Sequence, residues 1–243
     1  MAIRLKAFLI HLCFSVVIAL ASIIVVFGLW YPNPLHVAVG VTGVFLLMLF
    51  VDVFLGPVLT FVVYRCGKKT LFFDLFVIAV MQFLALGYGL WTVAEGRPVW
   101  LVFNSDRFDL VRAVDIDSRK IGDAPSQYQH APWGGPQWVV ALPPTEVNEQ
   151  QKLLLEAIAG GSDISQRPDL YHSIADYRSL LKMQLHETSE LNRYNDKELV
   201  ESVLREWPVA DSWIPLMANV PMVVLFSRES VEVVAVVELR PWL

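Results

Sequence analysis

Three long apolar runs open the chain, and shorter patterned segments follow them. The runs cover roughly residues 7–30, 38–64 and 71–94. Each reaches the about 20 apolar residues that a helix needs to cross a bilayer. After Glu95 the period changes. "RPVWLVF" (97–103) and "RFDLVRAVDI" (107–116) read as strands around a short turn, and "QWVVALP" (137–143) as a third strand. A polar, Gly/Pro-rich stretch (117–136) separates them. "TEVNEQQKLLLEAIA" (145–159) predicts a helix capped by Thr145 and stopped at Gly160-Gly161, and a further helix is expected around 173–185. "NDKELVESVLREW" predicts another, with Asn195 and Glu198 as a capping box and Pro208 at its end. "MVVLFS" and "VEVVAVVEL" read as a closing hairpin about Arg228-Glu229. The expected fold is therefore three transmembrane α-helices (residues 1–94) followed by a mixed α+β extracytoplasmic domain (95–243) whose end strands share one sheet.

Each apolar run carries small or polar residues at helical spacing: His11, Ser15, Ala19 and Ser22; Asp52, Gly56 and Thr60; Asp74, Gln82, Ala85, Gly89 and Thr92. Such stripes let membrane helices pack closely and join through hydrogen bonds. Asp52 lies twelve residues before Tyr64 and Gln82 eleven after Leu71. At ~1.5 Å per residue both reach similar depth near the bilayer midplane. An acid there costs about 2.5–3.5 kcal/mol on insertion scales and needs a partner. Gln82 is the expected one, with a polar group from another membrane helix as a further possibility. Pro57 cannot bond to the carbonyl of Val53, so a kink is expected there, with Thr60 covering part of the freed backbone. His11 and Asp74, each about a turn inside the same boundary, are expected to pair.

The distribution of charge sets an orientation. Residues 1–94 hold five basic residues and two acids; residues 95–243 hold fourteen basic and twenty-two acidic, a net of −8. Arg4 and Lys6 precede the first run, and Arg65, Lys68 and Lys69 separate the second and third, whereas "WYPNPLH" between the first two has no Lys or Arg. Basic residues favour the cytoplasmic side, so the N-terminus is expected in the cytoplasm and the C-terminal domain in the periplasm. Trp30, Tyr31, Tyr88 and Trp91 fall where interfacial aromatics lie. Ala19-Leu20-Ala21 has the form of a signal-peptidase site, but the apolar run continues through "SIIVVFGLWY", which favours an uncut signal-anchor. The whole chain of 243 residues is 55% hydrophobic, with a mean hydropathy of +0.50.

Little chemistry is legible. The two cysteines, Cys13 and Cys66, lie in the membrane part, so neither a disulfide framework nor a Cys-based metal site is expected in the outer domain. His130, His172 and His186 are scattered, and "HETSE" (186–190) lacks the second histidine of a zinc helix. There is no nucleophile elbow, phosphate loop or dinucleotide fingerprint. No basic stretch suggests nucleic acid. Trp133, Gly134 and Gly135 read as an ordered turn, with a binding loop as the alternative. Trp213 and Trp242 read as core, with an exposed aromatic contact cluster as the alternative. Asp106, Asp109, Asp115 and Asp117 follow the third run closely and are the acids that a membrane-surface enzyme would draw on; a solvated strand edge is the simpler reading.

"RLKAFLIHL", "FGLWYPNP", "VDVFLGPVLTFVVY", "GKK", "FDLFVIAVMQFLALGYGLWTVAEGRPVWLVFNSDRF" and the terminal "VVELRPWL" resemble the TfpX/TfpZ type IV pilin accessory proteins. The resemblance is dense over 4–116, returns at the last strand, and leaves 117–220 unmatched. It implies an inner-membrane protein, encoded beside a major pilin, that assists pilin assembly and tunes pilus dynamics. It implies no enzymatic activity, no catalytic residues, no cofactor and no metal. The expected partners are the type IV major pilin and membrane lipid; oligomeric state is left open. A pilin waits in the membrane as an apolar helix with a globular head outside, and two tethered contacts to these parts would reinforce each other. Asp52, Gly56, Pro57, Thr60 and Gln82 are the candidate partner-binding residues. The alternatives are a membrane-bound pilin-modifying enzyme component and a structural scaffold of the pilus machine.

Overall fold

The structure, a computed structural model, describes residues 1–242. The chain divides into two compact units: Met1–Trp30 with Val41–Gly96, and Tyr31–Gly40 with the chain from Arg97 onward. In the first unit, α1 (Ala2–Val25) continues through a π turn to Trp30. A short α2 (Leu35–Val39) belongs to the second unit. Then come α3 (Val41–Val63) and α4 (Leu71–Glu95). The stretches Ala2–Trp30, Val41–Val63 and Leu71–Glu95 are each long and apolar enough to cross a membrane.

α3 is the shared helix of the bundle. α1 and α4 each pack along it without packing along each other. On the α1 side, Ser15, Ala19, Ser22 and Val26 are buried, as small residues at a close helix crossing should be. On the α4 side, a side chain at Gly89 would overlap the sulfur of Met48, so glycine is what lets the two backbones approach there. The α1 stripe is thus spent largely on the bundle itself, whereas on α4 Ala85 and Thr92 stay exposed.

The second unit is built on one eight-stranded mixed sheet. Its strands are β1 (Pro98–Asn104), β2 (Arg107–Arg112), β3 (Gln137–Ala141), β4 (Tyr171–Ser173), β5 (His186–Glu187), β6 (Ser212–Met217), β7 (Met222–Ser227) and β8 (Glu232–Val237). The order is β4-β3-β1-β2-β6-β7-β8, with β5 added to β6. β1 and β3 are parallel, as are β2 and β6; the other pairs are antiparallel. Both faces of the sheet are covered, which is why β1 and β7 read as almost unbroken apolar runs. Leu101, Phe103, Val224 and Phe226 enter one cluster with Leu181 and Leu185. On the alternate positions, Val102 packs with Tyr128 and Tyr171, and Val223 and Leu225 with Trp213 and Val200.

The expected strands at both ends do share this sheet. β6 was not expected, although it joins β2 to β7 and so closes the sheet into one piece. The helix expected over 145–159 is α5 (Val147–Ile158), which begins after Glu146 without a side-chain cap, so Thr145 does not serve as one. The helix expected around 173–185 is a 3-10 turn followed by α6 (Arg178–Met183). In α7 (Lys197–Glu206) the cap is Asp196, whose carboxylate accepts the Glu198 amide at 2.8 Å. Asn195 instead ties Leu191 to Arg240.

The connection between the first two spans is part of the domain core. Leu35 and Ala38 are buried in the cluster containing Phe103 and Phe108. The Val220 amide donates to Ala38 O, and Asn219 Nδ2 to Val39 O, both at 3.0 Å. Gly40 closes α2 in the left-handed conformation (φ 78°), which glycine adopts without strain.

Candidate functional site in the helical bundle

Of the five residues singled out in the sequence, the bundle brings four into one hydrogen-bonded cluster or directly against it. Gln82 reaches across from α4 to α3, where its Nε2 donates to Asp52 O at 2.9 Å and, less closely, to Asp52 Oδ1 at 3.5 Å. Gly56 makes this possible, because a side chain there would occupy the space of the Gln82 carboxamide. Two acceptors on α3 fix the direction of the amide, so its Nε2 faces them. Gln82 Oε1 is left buried with no hydrogen-bond partner within the bundle. Pro57 is buried next to this contact within an unbroken helical segment.

Thr60 is turned elsewhere. It shares a hydrogen bond of 2.6 Å with His11 Nδ1 on α1. The expected His11–Asp74 pair does not form: Asp74 takes Lys68 Nζ at 2.7 Å and the Thr70 hydroxyl at 3.1 Å. The reason is the packing order, since α1 lies along α3 and not along α4.

Because α1 and α4 do not pack along each other, a groove runs between them with α3 as its floor. One part, of about 200 Å³, is lined by His11, Ser15, Asp52 and Gln82, with Phe14 and Phe83 at its sides. A second part, of about 630 Å³, shares His11, Phe14 and Ala79 with the first and continues past Thr60 to Lys6 and Tyr64. From Ile3 to Ile18 the groove follows α1 for about 22 Å at 1.5 Å per residue. Phe14 and Phe83 are 66% and 65% exposed on its two flanks.

The comparisons with known proteins bear on what such a bundle serves. The family described as fimbrial assembly protein FimB matches residues 1–40, which are α1 and the connection through α2. A Dichelobacter nodosus protein described as fimbrial assembly protein, serogroups C1 and C2, is 32% identical over 109 residues, 44% of this chain and 83% of that protein. The chain belongs to the fimbrial assembly protein family. Two further fimbrial assembly proteins of the same organism, from serogroups E1 and I, are 32% and 30% identical over 164 residues. These matches cover 67% of this chain and 63% of the length of each relative. No solved structure matches.

Three of the acids that follow α4 are paired with arginines. Arg107 Nε donates to Asp109 Oδ1 at 3.0 Å, Arg112 grips Asp115 through two bonds of 2.7 and 2.8 Å, and Arg119 grips Asp117. Burial pushes the Asp109 carboxyl above the usual carboxylate range, against the pull of Arg107. The Arg119 guanidinium holds Asp117 well below that range. Asp106 is exposed in the β1–β2 turn. Each paired acid has its own arginine two or three residues away, and Asp109 and Asp115, with Asp163, line one pocket of about 370 Å³. Among the described residues no group of three or more His, Cys, Asp or Glu is arranged to hold a metal. His172 stacks edge-on against Tyr177, and His186 lies against Trp213. The Trp133-Gly134-Gly135 turn is held by Arg97, whose guanidinium carbon sits 4.3 Å from the Trp133 ring centre.

Proposed function

We propose that the protein is a non-enzymatic accessory of type IV pilus assembly, of the TfpX/TfpZ kind, that engages the major pilin in the bacterial inner membrane. The observation that carries this reading is the combination of fimbrial assembly relatives with a two-part chain: an apolar three-helix bundle and a folded, acidic domain. A membrane-held pilin has the same two parts. The bundle contacts the pilin helix at or beside Asp52, Gly56, Pro57, Thr60 and Gln82, and the outer domain contacts the head. Each contact needs only modest strength, because the first raises the effective concentration for the second. Acting on pilin in this way adjusts its supply to the assembly machine.

The N-terminus lies in the cytoplasm and the domain in the periplasm. Arg65, Lys68 and Lys69 between the second and third spans support that orientation. The burial of Leu35 and Ala38 in the domain core agrees with three crossings, since the connection after the first span and the domain after the third must then share one side.

The competing reading, a pilin-modifying enzyme component, gains nothing from acids that are each paired with a neighbouring arginine. Deleting the gene and restoring it in trans tests both. The accessory reading expects surface pili to fall while the mass of the remaining mature pilin stays the same. Unchanged piliation rejects it, and a shift in pilin mass favours the enzyme.

A further inference from the structure

The groove between α1 and α4 has a chemical asymmetry. Its flanks are apolar, and on its floor is one open acceptor that the bundle does not fully satisfy. The Asp52 carboxyl is only half-buried, and among the described residues its one side-chain hydrogen bond is the 3.5 Å contact from Gln82. Gln82 Oε1 is buried and accepts nothing. His11 and Thr60, which also line the groove, are engaged with each other, and Ser15 beside His11 is buried. Acyl chains cannot donate hydrogen bonds, so a lipid filling this groove leaves the Asp52 carboxyl unmatched at a depth where that is costly. From Ala7, where the apolar run begins, to Ile18 the groove runs about 16 Å, three turns of a helix and about half of the about 30 Å hydrocarbon thickness.

We propose that the groove seats a single transmembrane helix of a partner protein, and that this helix brings a hydroxyl, amide or amine donor to the depth of Asp52 and Gln82. The occupant completes a four-helix bundle, covers Phe14 and Phe83, and supplies the hydrogen bonds missing from the floor. This rests on the pilin reading above, which names the partner: the helix is that of the pilin, and recognition is by a polar group at mid-depth rather than by apolar shape alone. The arrangement also selects among helices, because a fully apolar one would bury the Asp52 carboxyl without satisfying it.

The test is photo-crosslinking in membranes that contain the full chain and pilin, with a photoreactive residue at Phe14 or Phe83 on the groove, or at Leu47 or Phe54, which are exposed away from it. Pilin adducts are expected from the first pair and not the second. Asp52→Leu and Gln82→Leu should each lower the yield about five-fold, the size of an interhelical hydrogen bond of ~1 kcal/mol. Asp52→Asn, which keeps the size of the side chain and presents an amide donor in place of one oxygen, should also lower it while the protein's level in the membrane holds. Pilin adducts from the groove that are unaffected by these substitutions overturn the donor requirement and leave the pilin reading standing. Adducts only to lipid or to a second copy of the chain, with pilin still co-purifying, overturn the groove as the seat. Failure of pilin to co-purify at all rejects the pilin reading itself.

Discussion

The carboxamide of Gln82 lies where a side chain on Gly56 would have to be. Glycine on α3 and glutamine on α4 therefore form one unit: the first opens the space through which the second reaches Asp52 O. Gly56→Ala should push Gln82 off Asp52 and weaken the α3–α4 contact by ~1 kcal/mol. Because the clash is with the end of a flexible side chain, Gln82→Ala should relieve it, so the double variant should be no less stable than Gln82→Ala alone. Thermal unfolding of the four proteins in detergent measures the cycle, and additive losses would show that the two residues act separately.

A second expectation concerns the connection between the first two spans. Leu35 is 3% exposed within the core of the domain. Leu35→Ala should destabilise that domain by about 2–5 kcal/mol, as removal of a buried leucine side chain does. Proteolysis in native membranes should then begin within the domain, whereas the same change at Leu29, which is 45% exposed on the first span, should leave it resistant.

How much of this was legible in the sequence follows from how local each signal is. The spans and the Asp52–Gln82 contact could be read because depth along a helix is a matter of counting residues. The same counting put His11 beside Asp74 and failed, because depth does not say which helix is the neighbour. β6 escaped because Pro215 interrupts "SWIPLM" and lowers its reading as a strand. The role of "WYPNPLH" and the residues after it could not be read at all. Ala38 and Val39 meet Asn219 and Val220 across some 180 positions, and nothing in either segment points to the other.

The acid response should depend on Asp117. Its carboxylate is held well below the ordinary range by Arg119, so it stays ionised in the folded domain where it would be protonated in the unfolded chain. A depressed pKa contributes stability that is complete above the unfolded value of about 4 and drains away as pH falls below it. Melting temperature followed from pH 6 to pH 3 should fall less steeply for Asp117→Asn than for the parent. Parallel curves would mean that Asp117 carries none of the acid sensitivity.

Orientation can be read from single cysteines. With Cys13 replaced by Ala, Cys66 in the loop after α3 should resist a membrane-impermeant maleimide on spheroplasts and react once the membrane is opened. With both native cysteines replaced, Glu229→Cys on the C-terminal domain should react at once. The reverse pattern would place the domain in the cytoplasm, away from any pilin head.

The central claim is engagement of pilin by the intact protein. Affinity purification of the tagged full chain from detergent-solubilised inner membranes, with the bound proteins identified by mass spectrometry, tests it most directly. Pilin should be enriched over a matched membrane protein carrying the same tag, and the enrichment should fall when Asp52 and Gln82 are replaced together. Recovery of assembly-machine components or a glycan-lipid without pilin would contradict the account.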